Sequence, residues 1–171
     1  MDRLTFVVPT LAHKAEAWAY RQEHIDNGEQ WIHGSGGLHK ASNYESWLTK
    51  ITDAQTASQT GWVDCSTYFA VVAGAIVGTL QIRHTLNEGL LETGGHIGYG
   101  VRPAQRQKGY ATQMLATALQ KCRDIGITRA LVTCDKLNTP SAQTILRNGG
   151  KLENEVIEPD GNIVQRYWIE V

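Results

Sequence analysis

The sequence lacks most features that would place it outside ordinary globular proteins. It has three cysteines, Cys65, Cys122 and Cys134. An odd number with no C-x-x-C spacing argues against a disulfide framework and against a zinc site, so free thiols are expected and no metal. No stretch approaches the roughly 18 consecutive apolar residues of a membrane span. The start, M-D-R-L-T-F, lacks the basic-then-apolar layout of a secretion signal, so the cytoplasm is the expected location. There is no internal repeat and no linker-like stretch. With 171 residues, 42% apolar and 19% charged, the chain reads as one domain, 1–171, that buries its core without staples.

The net charge of −1 hides a strong partition. Residues 1–64 carry five Lys/Arg against eight Asp/Glu, whereas residues 101–151 carry nine against two. A basic block of this kind suggests a polyanionic ligand. Nucleic acid is one such ligand, but the block has no interleaved aromatics and no recognisable binding motif, and the chain's pI is about 6.6. A small phosphorylated cofactor fits better.

Periodicity and turn residues give a coarse element order. Leu4 to Val8 reads as a strand, followed by a helix capped by Thr10, with Leu11, Ala15, Trp18, Gln22 and Ile25 on one face and Gly28 as its stop. Residues 31–42, W-I-H-G-S-G-G-L-H-K-A-S, read as a mobile loop. Ser42 or Asn43 caps a second helix carrying Tyr44, Trp47, Leu48 and Ile51, and residues 52–61 read as loop. Ser66 to Val72 and Ala75 to His84 form a hairpin about Ala73 and Gly74. A strand ending near Val101 follows, then a helix with Ala111, Met114, Leu115, Ala118, Cys122 and Ile125 on one face. Ala130 to Cys134 is a buried strand. Thr139 caps a helix with Pro140 in its first turn and Gly149 at its end, and P-D-G-N joins two last strands.

The stretch G-G-H-I-G-Y-G-V-R-P-A-Q-R-Q-K-G-Y-A, Gly94 to Ala111, delivers a basic, glycine-containing turn onto a helix start. Unpaired N–H groups and the helix dipole at such a turn favour an anion. An ordinary helix start with solvated Arg and Lys reads the same way, and Arg102 taken alone is also consistent with a plain surface charge.

Two motifs then coincide. Arg106, Gln107, Lys108, Gly109, Tyr110 and Ala111 match the Arg/Gln-x-x-Gly-x-Gly/Ala pyrophosphate signature of the GNAT superfamily of N-acetyltransferases, with Val101 and Pro103 as its V-x-P approach. Asn138 and Ser141 match the family's Asn-x-x-Ala/Ser after the fifth strand. With the element order, the chain resembles that family over residues 66–158, and its wording resembles a bacterial branch of acetyltransferases. The resemblance implies a mixed α/β fold: a mostly antiparallel sheet of about seven strands flanked by about four helices. It also implies an acceptor-side half (1–64) and an acetyl-CoA-binding half (65–171).

By the same resemblance, acetyl-CoA is the cosubstrate and a small-molecule or peptide amine the acceptor, joined directly in a ternary complex; a homodimer is plausible. Tyr99, Gly100 and Val101 would line the thioester and supply a backbone oxyanion donor, with Gly98 and Gly100 leaving room beside them. A bulge without a ligand would explain the same glycines. Arg106, Gln107, Lys108, Gly109, Tyr110, Ala111, Asn138 and Ser141 would hold the cofactor. The family's common tyrosine acid falls at Ile145, which keeps open a non-catalytic acyl-CoA-binding module.

His96 is a candidate base, against a packed strand histidine, and Cys134 a candidate acid, against a structural thiol. Tyr99 and Tyr110 are further acids in principle. Trp31, His33, His39, Tyr44 and Trp47 are either an acceptor wall or packing. The acidic balance of residues 1–64 suits a cationic acceptor.

Overall fold

The computed structural model describes residues 3–171. Seven strands form two antiparallel sheets: β1 (Thr5–Val7), β2 (Cys65–Val72), β3 (Ala75–Arg83) and β4 (Ile97–Val101) in that order, and β5 (Arg129–Asp135), β7 (Ile163–Glu170) and β6 (Lys151–Ile157) in that order. Four α-helices accompany them: α1 (Lys14–Asp26), α2 (Tyr44–Asp53), α3 (Tyr110–Asp124) and α4 (Thr139–Arg147). The expected mixed α/β architecture is observed.

The alternation along β2 and β3 builds two cores. Phe69 and Ile76 face α1 and α2, meeting Ala17, Tyr20, Tyr44, Trp47 and Ile51. Ala70 and Val77 face the other way, towards Met114, Leu115 and Ala118 of α3 and across to Val132 and Ile169 of the second sheet. Each large side chain so buried contributes roughly 1.5 to 3 kcal/mol.

Hydrogen bonds at His96 join the edges of the two sheets. The His96 N–H donates to the Leu131 carbonyl at 2.7 Å, and the Leu131 N–H donates to His96 Nδ1 at 2.9 Å. Gly95 makes this approach possible. Its φ is +72°, and a Cβ there would lie 2.6 Å from the Leu131 carbonyl oxygen. Beyond the junction β4 pairs only with β3 among the described residues, so a gap opens between β4 and β5.

Local signals located most turns. Asn43 Oδ1 accepts from the Ser46 N–H at 2.8 Å and starts α2. Ala73 and Gly74 both take positive φ, 49° and 81°, in the two-residue hairpin turn between β2 and β3. Four expectations need correction. The buried face of α1 is Ala17, Tyr20 and His24, while Leu11 and Ile25 are exposed, because polar groups with partners displaced the apolar stripe. Ile125 likewise lies outside the buried stripe of α3. Residues 52–61 finish α2 and continue as 3-10 turns over Ala54–Thr60. The cap of α4 is Asn138, one residue before Thr139, its Oδ1 accepting from the Ser141 N–H at 3.3 Å.

The loop expected to be mobile, 31–42, is built into the fold. Ile32, Ser35 and Leu38 are buried. Ser35 Oγ donates to the Ile32 carbonyl at 2.6 Å and accepts from the Leu38 N–H at 3.2 Å. Trp47 Nε1 donates to the Ser35 carbonyl at 2.8 Å. Glycines on both sides bring this loop against β4: a Cβ on Gly34 would lie 2.4 Å from the Gly98 carbonyl oxygen, and one on Gly100 would lie 2.8 Å from that of His33.

Candidate active site

The gap between β4 and β5 opens into two cavities that share four residues, His33, Tyr99, Asn138 and Ser141. The larger, about 840 Å³, runs from the starts of α3 and α4 to Trp31 and Glu29. The smaller, about 280 Å³, lies beyond Tyr99 and is lined by Arg83, Thr133, Cys134, Asp135 and Glu158 among others.

At the head of the larger cavity the chain turns through Gln107 (φ +61°) and Gly109 (φ +81°) into α3. Among the described residues, no hydrogen-bond acceptor lies on the N–H groups of Gln107, Lys108, Gly109, Tyr110, Ala111 or Thr112. Unpaired N–H groups at the positive end of a 15-residue helix are the kind of donors an anion takes.

At the junction of the cavities the Tyr99 hydroxyl and Ser141 Oγ are 2.8 Å apart. Burial pushes the Tyr99 phenol up to about 12, against a lowering by the Ser141 hydrogen bond. Burial likewise raises the Cys134 thiol, so both groups keep their protons at neutral pH.

The sequence from residue 3 to 151 matches the family model of the acetyltransferase (GNAT) domain. The chain belongs to the GNAT acetyltransferase family. Solved structures with the same fold include the microcin C7 self-immunity acetyltransferase MccE in complex with acetyl-CoA and AMP (TM-score 0.73, 19% identity, 100% of this chain and 94% of that one). RimL, the ribosomal L7/L12 α-N-protein acetyltransferase, in complex with coenzyme A, aligns with TM-score 0.73 at 16% identity over 98% of this chain and 94% of its own. Mycobacterium smegmatis RimJ in complex with CoA-disulfide gives 0.74 at 21% identity, over 98% and 82%. No curated protein matches the sequence closely enough to count as a relative.

The GNAT motif residues come together, though with different partners from those the charge pattern suggested. Arg106 forks onto Glu29, Nη1 to Oε1 at 2.6 Å and Nη2 to Oε2 at 2.9 Å, while its Nε donates to the Val101 carbonyl at 3.0 Å. Arg102 bonds Glu23 at 2.5 Å and Glu16 at 2.7 Å. Two arginines of the basic block are thus neutralised by three carboxylates of the acidic first third. That leaves the backbone N–H groups, with Arg147 on the cavity wall, as the open anion donors in place of Arg102 and Arg106, and it removes these carboxylates as attractors for a cationic acceptor. Lys108 reaches Gln105 at 2.9 Å, and the Tyr110 ring is buried in the core. Gly109, Ala111, Asn138 and Ser141 line the larger cavity with Tyr99, Gly100 and Val101. Ile145, at the family's tyrosine position, is fully buried. The space freed at Gly98 and Gly100 is filled by Arg83 and the His33 carbonyl respectively.

His96 takes a structural position. Its Nδ1 lone pair accepts the Leu131 N–H, so the neutral ring carries its proton on Nε2 and has no free basic nitrogen. Burial and the nearby Arg83 lower its pKa further. It lines neither cavity. His33, expected only as part of an acceptor wall or of packing, is an exposed histidine lining both cavities beside Tyr99 and Ser141. The glycines at 34, 36 and 37 were the available signal: they let the loop fold back onto β4, but spacing could not say what the loop would meet. Tyr44 and Trp47 prove to be packing, with Trp47 stacked on Phe69 at 5.7 Å. Trp31 lies exposed on the larger cavity over His39, at 4.8 Å.

Glu29 ties the site to α1 and gives a pH prediction. Burial raises its carboxyl, but hydrogen bonds from Arg106, His24 and Asn27 outweigh that and hold it at about 2, against an ordinary 4.5. Burial keeps His24 neutral, so its Nδ1–H donates to Glu29 at 2.6 Å. A folded-state pKa below the unfolded one adds stability above about pH 4.5 that is lost as pH falls towards 2. Denaturant unfolding of wild type and Glu29→Gln should differ by at most about 3 kcal/mol at pH 7 and converge near pH 2. A difference that stays constant with pH would disprove the assignment.

Proposed function

We propose that this GNAT protein transfers the acetyl group of acetyl-CoA to a primary amine by direct attack in a ternary complex. The observation that carries the reading is the run of unpaired N–H groups from Gln107 to Thr112 at the head of a cavity between splayed strands. A diphosphate there would accept several of these N–H groups, with the pantetheine arm running past Asn138 and Ser141 towards Tyr99. The smaller cavity beyond Tyr99 takes the acceptor. That neighbours of the same fold are described with acetyl-CoA or CoA supports the cosubstrate, and RimL, an α-N-protein acetyltransferase, supports the amine.

The site needs little covalent chemistry. Proximity supplies several kcal/mol, and a backbone N–H of the unpaired β4 edge aimed at the developing oxyanion about 3 more. His33 is placed to take the amine's proton. A phenol held near 12 cannot hand its proton outright to a thiolate whose own pKa is about 8.5. The Tyr99–Ser141 pair therefore stabilises the leaving thiolate by hydrogen bonding, and the thiolate takes its proton from water once it has left. A family tyrosine at position 145 is then dispensable.

Calorimetry with CoA should show 1:1 binding, weakened roughly tenfold or more in Ala111→Asp, which sets a carboxylate among the N–H groups. Thiol release from acetyl-CoA should depend on an added amine. Absence of CoA binding would remove the reading. CoA binding with no amine-dependent release would favour instead a non-catalytic acyl-CoA-binding module, the alternative that the buried Ile145 keeps open.

A further inference from the structure

Arg83 stands at the end of β3 and lines the smaller cavity. Its Nη1 makes two long hydrogen bonds, 3.3 Å to the Gly94 carbonyl and 3.4 Å to that of Gly95. Among the described residues no carboxylate lies within ion-pair distance of it, whereas Arg106 and Arg166 each have one and Arg102 has two. The guanidinium lies along the β4 backbone: a Cβ on Gly98 would meet Nη1 and Nη2 at 3.3 Å each. A planar cation that cannot shed its proton is therefore held in a cavity wall with no carboxylate in contact, an arrangement costly unless an anion arrives from outside.

The second sheet supplies the opposite sign. Asp135 at the end of β5 and Glu158 just past β6 line the same cavity, and Asn162 Nδ2 donates to Asp135 Oδ1 and Glu158 Oε2 at 2.8 Å each. The volume, about 280 Å³, falls below the roughly 300 to 1,000 Å³ of sites for drug-sized ligands.

We propose that the acceptor is a small dipolar amine of the amino-acid class, its carboxylate forked onto Arg83 and its ammonium drawn in by Asp135 and Glu158. This inference rests on the acetyl-transfer reading and names its substrate class. The planar fork of an arginine matches a carboxylate in two parallel hydrogen bonds. An acceptor with positive charge alone, such as a polyamine or an aminoglycoside, leaves Arg83 uncompensated and is repelled by it. A neutral amine gains nothing from it.

The test compares free amino acids with their amides, and with spermidine and an aminoglycoside, by thiol release from acetyl-CoA. Binding of N-acetyl amino acids and N-acetyl amino-acid amides to the CoA-saturated protein is measured in parallel by calorimetry. Carboxylates should exceed amides by about tenfold or more in kcat/KM and in affinity. Arg83→Gln should erase that preference by raising KM for the carboxylates alone, and Arg83→Lys should restore part of it. Thermal melts of both variants separate misfolding from lost recognition. Equal handling of acids and amides by the wild type would overturn the proposal, as would an Arg83→Gln variant that weakens both alike. If CoA binds and no amine is acetylated, the transfer reading fails. Carboxylate-selective binding lost in Arg83→Gln would still support the dipolar site, and its absence would end it.

Discussion

Replacing His33 with alanine should lower kcat by roughly 10²- to 10³-fold while leaving the melting temperature and CoA affinity close to wild type. The side chain is exposed and carries no hydrogen bond of its own among the described residues, so its removal leaves no buried group unsatisfied. Its backbone is what the fold uses: Thr79 Oγ1 donates to the His33 carbonyl at 2.9 Å, and any residue preserves that. The loss should therefore be in proton transfer. His33→Gln should not rescue the rate, because an amide cannot act as a base. His96→Ala should behave in the opposite way, lowering the melting temperature because the Leu131 N–H loses its acceptor at the joint between the sheets. A His33→Ala enzyme with unchanged kcat would remove His33 from the mechanism.

The contrast between these histidines shows how far the sequence could be read. A histidine on the cofactor strand is visible as a candidate, yet whether its ring faces a ligand or a neighbouring backbone is decided by a partner, Leu131, that no local pattern identifies. The turns were legible because their causes are local. Asn43 caps within three residues, Gly28 and Gly149 take the positive φ that ends a helix, and the pair Ala73–Gly74 closes a hairpin. The signature at 106–111 was legible for the same reason, since an anion site at a helix start is made by its own backbone.

Contacts made across long separations were not legible. The charge partition was real, but its meaning changed once Arg102 met Glu16 and Glu23, and Arg106 met Glu29, 77 or more positions away in sequence. The α1 face was misread because apolar spacing cannot anticipate a buried His24 whose Nδ1–H donates to Glu29, or a buried Tyr20 whose hydroxyl lies 3.1 Å from Thr79 Oγ1. Since Thr79 donates to the His33 carbonyl, Tyr20 is the donor in that pair. The chain Tyr20–Thr79–His33 fastens the loop from beneath, which is why a glycine-rich segment is ordered.

Gly34→Ala should be the most damaging single-methyl change in the molecule's first third, costing roughly 2 to 4 kcal/mol. Two effects combine there. Gly34 has φ +71°, which an L side chain rarely adopts, and its Cβ would lie 2.4 Å from the Gly98 carbonyl oxygen and 2.8 Å from the Tyr99 Cα. Those are backbone atoms of the strand along which the thioester is proposed to lie, so neither can swing aside as a flexible side chain would. Gly28→Ala is the control. Its φ, +77°, is nearly the same, but nothing lies within 4 Å of its Cβ, so it should cost only about 1 kcal/mol from backbone conformation. The difference between the two variants in denaturant unfolding therefore reads the contact between loop and strand. Because His33 precedes Gly34 and Tyr99 follows Gly98, whatever Gly34→Ala displaces is the junction of the two cavities. At a temperature where the variant is still folded, kcat should fall more than CoA affinity does, since the N–H groups at the start of α3 lie away from the strain. Equal losses for Gly28→Ala and Gly34→Ala would mean that the loop does not bear on β4, and that the acceptor cavity is not closed on that side as described.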